Sequence, residues 1–373
     1  SGLVGSEMCI RDSNNRMKEL TAKRAVPALP VAGSFRSIDF ALSSMSNSHI
    51  QTVAVLTQYN ARSLNEHLSS SKWWNFGRKQ GGLFLFTPTV TADNSDWYRG
   101  TADAMYQNID FLKRRHEPYV IISSGDCVYK LDFNRVLDFH IEKKSDITVV
   151  CKDMMYNDDV SRFGVVRMDD ESRITEFDEK PIEALSNTIS TGIYVIRRRQ
   201  LIELLEAAAE ENRFDFVNDI LVRYKNVKKI YGYKINSYWN NIADIDAYFK
   251  TNMDFLRPDV RSYFFREEPT ICSKVDDLPP AKFNPGSDIS NSLVSSGCII
   301  NGSVEDSVLF KQVFVGKNTT VKNCVILNDV YIGDNVHLEN CIVESRGTIN
   351  PNTCYCGEDG VMIVKEKNVR YVI

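Results

Sequence analysis

A single carboxylate at the end of a buried strand is the first feature of this sequence that could support chemistry. The stretch YVIISSGDCVYKLD, residues 119–132, runs from mostly apolar residues into Gly-Asp and then into a polar turn. Open α/β sheets bind ligands at the carboxyl ends of their strands, so Asp126 stands where a metal ion would be held. Such an ion would need a second oxygen ligand from another part of the chain.

The elements that would position Asp126 alternate between β-rich runs and helical stretches across residues 14–255. Strands are predicted at 52–58, 119–125, 146–153 and 190–198, and helices at 101–115 and 198–211. This alternation predicts a Rossmann-like α/β domain with a mainly parallel sheet. Asp244 directly precedes the helical period of IDAYFKTNMDFL, so we expect it to cap that helix.

The chain changes character near residue 256. Residues 256–286 lack a sustained period and contain several prolines, which predicts an extended linker. Across 287–373, apolar residues recur every five or six positions, with Asn and Asp at the corners, which predicts a left-handed parallel β-helix. A small antiparallel sandwich would instead show two-residue alternation and hairpin dipeptides. The recurring apolar residues are Val294, Ile299, Val304, Leu309, Val315, Val321, Ile326, Ile332, Leu338 and Val343.

The first thirteen residues, SGLVGSEMCIRDS, contain neither a strand pattern nor a helical period. They resemble a cloning or assembly scar, so we expect them to be a non-native segment outside the α/β domain. No apolar run approaches the roughly 18 residues of a membrane helix. No secretory signal is recognisable, and a net charge of −4 argues against nucleic-acid and acidic-membrane partners.

The nine cysteines are odd in number and irregularly spaced, which indicates reduced thiols and a cytoplasmic protein. Cys354 and Cys356 have the right side chains for metal ligands, but no further Cys/His pair accompanies them at ligand spacing. Exposed or core thiols are therefore the preferred interpretation of this pair.

Seven motifs in order along the chain resemble bacterial glucose-1-phosphate adenylyltransferase, also called ADP-glucose pyrophosphorylase. WYRGTADA and LPPAKF are specific to this family within a wider superfamily, and the likeness runs from about residue 19 to the C-terminus. The motifs are KRAVPALPVAGSFRSIDFALSSMSNS (23–48), LTQYNARSLNEHL (56–68), WYRGTADAMYQNID (97–110), GDCVYKLD (125–132), EFDEKP (176–181), STGIYV (190–195) and LPPAKF (278–283).

The resemblance implies roles for several residues in joining glucose 1-phosphate to the α-phosphate of ATP. Asp126 matches the acid that holds Mg²⁺ against the phosphates, and Lys180 matches the lysine that binds the sugar phosphate. Gln58 and Trp97 lie in loops that link effector sites to the active site in the family. The residues expected near the nucleobase are Arg99, Gly100, Thr101 and Ala102, and those expected around the hexose are Gly164, Ser190 and Gly192.

This sequence departs from the family pattern at phosphate and metal positions. The family's second metal-binding carboxylate follows Trp in a Trp-Arg-Asp pattern, whereas this chain reads Trp-Asn-Asn and places Asn241 there. An amide adds no charge to a Mg²⁺ site, so we expect a weakened site. Residues 13–19 contain no glycine, although the family has a glycine-rich phosphate loop there. Val26 replaces a lysine associated with activator binding, and Cys127 replaces a histidine.

Retained architecture with altered chemistry resembles the regulatory D-type subunit of the family. A catalytic homologue is then the expected partner, in a homo- or hetero-tetramer assembled through the β-helix and linker, with a sugar phosphate or nucleotide as ligand. One alternative is a competent enzyme with an altered metal site. Another is a hexapeptide acyltransferase that uses His337, the only histidine of the β-helix, as its base.

Overall fold

The computed structural model describes residues 3–9, 17–77, 81–88, 97–155 and 158–365. Eight α-helices are present in the described part of the chain, besides three short 3-10 helices and one π-helical turn. They are α1 (Ser37–Asn47), α2 (Arg62–Leu68), α3 (Thr101–Gln107), α4 (Ile109–Lys113), α5 (Phe133–Glu142), α6 (Arg198–Glu210), α7 (Ile245–Asp254) and α8 (Pro258–Phe265). Asp244 accepts a hydrogen bond from Ala247 N at 2.7 Å, which confirms it as the N-cap of α7.

The strands of the N-terminal domain include the four predicted from the sequence. They are β1 (Leu3–Cys9), β2 (Pro30–Val31), β3 (Phe35–Arg36), β4 (Thr52–Thr57), β5 (Gly82–Phe86), β6 (Tyr119–Ser124), β7 (Cys127–Tyr129), β8 (Ile147–Asp153), β9 (Gly164–Met168), β10 (Ile174–Glu179), β11 (Thr188–Arg197), β12 (Ile230–Lys234) and β13 (Trp239–Asn241).

A nine-stranded sheet with helices packed against it forms the domain, in the order β10-β9-β11-β6-β1-β4-β5, with β8 beside β11 and β12 beside β8. Strands β6, β1, β4 and β5 are parallel, whereas β11 runs antiparallel to β6, β8 and β9. The Rossmann-like domain with a parallel sheet is therefore confirmed, and the sequence did not reveal its antiparallel extension. The carboxyl ends of β1, β4 and β6 share one edge of the sheet.

The interpretation of residues 1–13 as lacking a strand was wrong. Residues 3–9 form β1 at the centre of the parallel sheet, where Val4 pairs with Thr52 on one side and with Val120 on the other. Without β1, the backbone N–H and C=O groups of β4 and β6 that face it would have no partners. The hydrogen bonds that β1 forms with both strands therefore stabilise a strand that its own residues hardly favour. This segment completes the sheet, whatever its origin.

The predicted linker is only partly extended. Within residues 256–286, Pro258 begins α8, where its fixed φ suits the first helical turn. Phe264 of that helix is buried and packs edge-on against Phe40 of α1, with ring centroids 5.3 Å apart. Tertiary packing of aromatic residues therefore stabilises a helix that the local sequence does not indicate. Lys282 already pairs with Ile299, so the β-helix begins before residue 287.

The C-terminal domain is a three-sided parallel β-helix of about five coils, as the hexapeptide pattern predicts. One face contains β14 (Lys282–Phe283), β17 (Ile299–Ile300), β20 (Phe314–Val315), β23 (Tyr331–Ile332) and β26 (Thr348–Ile349). The second contains β15 (Asp288–Ser290), β18 (Ser303–Glu305), β21 (Thr320–Lys322), β24 (His337–Glu339) and β27 (Cys354–Cys356). The third contains β16 (Leu293–Val294), β19 (Val308–Leu309), β22 (Val325–Ile326), β25 (Cys341–Val343) and β28 (Met362–Val364).

Buried apolar side chains fill the β-helix, and left-handed Asn and Asp residues turn its corners. Asn318, Asn335 and Asn352 all have φ near +60°. Asn318 Nδ2 donates to Asn335 Oδ1, and Asn335 Nδ2 donates to Asn352 Oδ1, which forms a ladder along the coils. The register differs from the sequence pattern at one position, because Ile299 is 38 % exposed whereas Ile300 is fully buried. From Val304 onward, the recurring apolar positions are all fully buried.

The two domains share a hydrophobic core. Met17, Phe40 and Phe255 of the first domain belong to the same buried cluster as Phe310 and Leu327 of the β-helix. Arg24 forms an ion pair with Glu344 across this junction. Burial raises the pKa of Glu344, and the charge of Arg24 opposes that shift. Among the described helices, none has the length and apolar character required to cross a membrane.

Candidate functional site

Asp126 lies in the turn that follows β6, at the carboxyl edge of the parallel sheet. The short strands β7 and β13 pair so that Asn241 is opposite Cys127, and Ile242 N donates to Asp126 O at 2.9 Å. Asn241 therefore stands beside Asp126, at the position where the sequence analysis expects the second metal ligand.

The donor atoms around Asp126 do not match a site with two carboxylates. Asp126 Oδ1 accepts hydrogen bonds from Ser124 Oγ at 2.6 Å and from the Cys127 thiol at 3.3 Å. Asn241 Oδ1 accepts from Ala243 N at 3.0 Å, and Asn241 Nδ2 donates to Cys127 Sγ at 3.5 Å. The amide oxygen is therefore engaged in a turn, which leaves one carboxylate as the source of charge for Mg²⁺.

The residues expected around the hexose meet at one end of β9, β10 and β11. Val165 pairs with Ile189, so the preceding Gly164 lies next to Ser190. The Ser190 hydroxyl lies 3.3 Å from the Tyr194 hydroxyl. Burial raises the pKa of Tyr194, so this phenol stays protonated near neutral pH. A bulge in β11 contains Gly192 at φ +75°, a conformation that favours glycine.

Lys180 follows β10 and has a left-handed backbone with φ +50°, which is unusual for a residue with a side chain. Its backbone N donates to Phe163 O at 3.1 Å, which fixes this turn beside Gly164. The side chain is 57 % exposed, and Nζ lies 3.1 Å from Glu179 Oε1. Glu179 was not singled out from the sequence, although it belongs to the Glu-Lys-Pro motif. The pair offers both a cation and an acceptor to a ligand.

The loop from Arg99 to Ala102 is fixed to the segment after α6. Ala102 N donates to Phe214 O at 2.8 Å, and Thr101 Oγ1 accepts from Phe216 N at 2.8 Å. A Cβ on Gly100 would lie only 2.3 Å from Phe214 O, so glycine is required by the close backbone approach. The Arg99 guanidinium lies 3.8 Å from the centre of the Phe214 ring. Phe214 is thus an organising residue that the sequence analysis missed.

The two candidate regulatory residues belong to one contact network. Gln58 is buried immediately after β4, and its Oε1 accepts a hydrogen bond from Tyr98 N at 2.6 Å. Trp97, which precedes Tyr98, is 58 % exposed. Its ring stacks on that of Tyr59, the residue after Gln58, with ring centroids 5.3 Å apart. The loops after β4 and before α3 are therefore linked twice.

Strand β1 lies between β4 and β6 in the parallel sheet. Its neighbours β4 and β6 lead to Gln58 and Asp126, and Cys9 at the end of β1 pairs with Thr57. The sequence then enters residues 10–16, which lie outside the described residues and include most of the glycine-free stretch 13–19. The described chain resumes at Met17. Val26, which replaces the family lysine, is buried in the core shared with the β-helix.

Two protein-family models match the chain. The model described as Nucleotidyl transferase matches residues 13–257, and the one described as GlmU-like, C-terminal hexapeptide matches residues 279–363. Curated relatives decide the narrower family. A glucose-1-phosphate adenylyltransferase of Geobacillus stearothermophilus is 38 % identical over 353 residues, which cover 94 % of this chain and 91 % of the relative. The chain belongs to the glucose-1-phosphate adenylyltransferase family.

Two further family members show the same degree of similarity. The protein of that name from Clostridium novyi (strain NT) is 38 % identical over 309 residues, which cover 82 % of this chain and 81 % of the relative. The Bacillus subtilis (strain 168) protein is 36 % identical over 310 residues, with coverage of 82 % and 81 %. The family assignment and both parts of the fold class made from the sequence are thus confirmed.

Proposed function

We propose that this chain is a regulatory subunit of glucose-1-phosphate adenylyltransferase with weak or no turnover of its own. It would serve ADP-glucose supply for glycogen synthesis in the cytoplasm, as a partner of a catalytic family member. The arrangement of Asn241 beside Asp126 carries this proposal. A catalytic subunit would transfer the adenylyl group of ATP to glucose 1-phosphate, with Mg²⁺ compensating the phosphate charge.

The chain's own groups support binding better than turnover. Asp126 would hold Mg²⁺ weakly, and that ion would bring the two substrate phosphates together. Lys180 would bind the sugar phosphate as a point charge, and Gly164 and Ser190 would contact the hexose. The paired loops at Arg99 and Phe214 would position a nucleobase. With Asn241 at the second metal position, transition-state charge would be poorly compensated.

The missing glycine loop supports the same conclusion independently. In the family this loop presents backbone N–H groups to the triphosphate. Residues 13–19 read SNNRMKE and contain no glycine. Met17, within this stretch, and Leu20, directly after it, are buried in the core shared with the β-helix. This burial favours a structural role for the described residues from Met17 to Leu20.

Assembly would use the outer surface of the β-helix. On its first face, Ile299, Phe314 and Tyr331 lie in register on successive coils. The rings of Phe314 and Tyr331 stack with centroids 4.7 Å apart, which forms an apolar outer stripe. Apolar outer surfaces of this kind are suited to association with a related chain. A tetramer with a catalytic homologue is the proposed form.

The experiment is to co-express this chain with a catalytic family member and measure the mass and activity of the product. We expect mixed tetramers by light scattering at micromolar concentration, and a changed effector response relative to the catalytic chain alone. The double variant Phe314→Ser/Tyr331→Ser, matched by Thr348→Ser at the end of the same ladder, tests the surface. A monomer that the homologue leaves unchanged would contradict the proposed assembly.

A competent enzyme with an altered metal site is the second candidate. An amide oxygen can ligate Mg²⁺, and Asn241 is in the right place to do so once its bond with Ala243 N breaks. This candidate predicts turnover by the isolated chain, so one activity assay separates the two functions.

A further inference from the structure

The second face of the β-helix brings together two pairs of side chains that are 17 residues apart in the sequence. In the ladder between β24 and β27, His337 pairs with Cys354 and Glu339 pairs with Cys356. Leu338 is buried and Tyr355 packs against the interior, so the alternate residues at these four positions face outward. The result is a square of two thiols, one imidazole and one carboxylate.

Three of the four groups already lie within the distances found between ligands of one metal ion, and Cys354 is next to the third of them, Cys356. An imidazole nitrogen of His337, a carboxylate oxygen of Glu339 and Cys356 Sγ all lie within 4.8 Å of one another. His337 Nε2 is 3.5 Å from Glu339 Oε2, and Cys354 Sγ is 3.5 Å from Cys356 Sγ. Ligands of tetrahedral zinc at bond lengths of about 2.0–2.3 Å are separated by about 3.3–3.8 Å.

We propose that His337, Glu339, Cys354 and Cys356 form a zinc site that joins the last two coils of the β-helix. Two thiolates with one imidazole are borderline-soft ligands that favour zinc over magnesium or calcium. Binding would replace the two thiol protons, which pass to the solvent. This site is separate from Asp126 and independent of the regulatory role proposed above.

The surroundings leave the four ligands accessible. The nearest cation along the ladder is Lys322, which pairs with Glu339 in register, but its Nζ lies 3.7 Å from Glu305 on the other side. Glu339 and Cys356 also line a surface cavity with Glu358, which gives an ion a path from solvent. The strands fix the backbone of all four ligands, so binding requires side-chain rotation alone.

The site is not recognisable from sequence spacing, because the length of one β-helix coil sets the number of residues between the two ligand pairs. Equivalent corners of successive coils in this region are 17 residues apart, as shown by the side-chain hydrogen bond from Asn335 to Asn352. His337 and Cys354 share that separation, and each pair has only one residue between its two ligands, fewer than in usual zinc motifs. The Cys-Tyr-Cys stretch therefore lacked a visible partner until the coils were stacked.

The test is a cobalt titration of the full chain, reduced, stripped of metal and free of an affinity tag. Cobalt replaces zinc and reports its ligands by absorption. We expect one equivalent to give a thiolate-to-cobalt charge-transfer band and the visible bands of tetrahedral coordination. Zinc added in competition with a chromophoric chelator should displace the cobalt and give the affinity.

Matched variants separate this site from other thiols. Cys354→Ser/Cys356→Ser should abolish the charge-transfer band, and His337→Ala or Glu339→Gln should weaken zinc binding about tenfold or more. Cys272→Ser, which removes an exposed thiol elsewhere, should change neither. All of these side chains face outward, and an unchanged circular dichroism spectrum will show that each variant folds.

Three results would overturn the proposal. One is a cobalt spectrum without a thiolate band, and another is the same band in the double cysteine variant. The third is a reduced chain that binds no metal but forms a Cys354–Cys356 disulfide in air, which would make the pair a redox element instead.

Discussion

Asn241 lies opposite Cys127 in the β7–β13 ladder, and its Nδ2 donates to the Cys127 thiol at 3.5 Å. This contact turns the amide donor towards the Asp126 turn while Asn241 Oδ1 is engaged by Ala243 N. Asn241→Asp would supply the second carboxylate, yet the phosphate loop would still lack glycine. We therefore expect less than about a tenfold gain in pyrophosphate release, because the loop's electrostatic contribution is still missing.

The control for that substitution is Asn240→Asp, which adds the same charge one residue earlier. Asn240 instead donates to Tyr238 Oη at 2.7 Å, away from Asp126. Recovery of a rate typical of the family by Asn241→Asp alone would show that the altered loop is no obstacle.

A second prediction concerns the link between Gln58 and Tyr98. Gln58→Ala removes the acceptor of the Tyr98 N–H, and Trp97→Ala removes the stacking partner of Tyr59. Each should change the effector activation curve of a mixed enzyme by severalfold without changing its mass, since an effector acts through a difference in affinity between two states.

The matched control is Gln51→Ala, an exposed glutamine just before β4, at the opposite end of the strand. Activation curves should be measured with mixed enzymes of equal composition. If both variants give the curve of the unmodified assembly, the two loops do not transmit the signal.

A third prediction follows from a histidine buried beneath the sheet. Burial lowers the pKa of His140 from 6.5 to about 4, with a further contribution from Arg197, and Nδ1 lies 2.8 Å from Thr148 Oγ1. The unfolded chain therefore takes up a proton first as the pH falls. His140 contributes stability above pH 6.5 that is lost towards about pH 4, amounting to about 2 kcal/mol between about pH 7.5 and 5.

Denaturant unfolding at both pH values checks this effect. His140→Gln keeps a group able to bond with Thr148 but cannot titrate, so its free energy of unfolding should depend less on pH. His116→Gln, at an exposed histidine, should leave the slope of the wild-type chain intact. If the free energy of unfolding changes with pH equally in the His140 variant and the wild type, His140 is not the source of the pH dependence.

The register of the β-helix gives a fourth prediction. Ile300 is fully buried and Ile299 is 38 % exposed. Ile300→Ala should destabilise the β-helix by about 2–5 kcal/mol, because it leaves a cavity in a packed interior. Ile299→Ala should cost less than about 1 kcal/mol in chains diluted below the assembly concentration. Chemical unfolding of the two variants side by side decides between the registers.

Local patterns predicted the elements that bury their own apolar face. Strands β4, β6, β8 and β11, the capping role of Asp244 and the β-helix all follow from short-range periodicity. In contrast, β1 and α8 depend on partners distant in the chain, namely the strands around Val4 and the aromatic cluster around Phe264. The local sequence does not indicate such distant partners, so neither element was predicted.

The same reasoning applies to the candidate sites. Asp126 and Lys180 were singled out because each lies in a motif that resembles the family, and Asn241 because it departs from the family pattern. Phe214 and the square that contains His337 and Cys356 are created by the fold, which joins residues from separate loops or coils. The square can be recognised in the sequence only when the number of residues per coil is known.

The central claim is that the isolated chain has almost no adenylyltransferase activity. We expect the missing metal carboxylate and the missing glycine loop each to remove about 3 kcal/mol of transition-state stabilisation. If the two effects add, the rate falls about ten-thousand-fold or more. The measurement is pyrophosphate release from ATP and glucose 1-phosphate with Mg²⁺, for the purified chain beside an active relative. We expect a rate near background; a rate within tenfold of the relative would identify a working enzyme and contradict the proposed regulatory role.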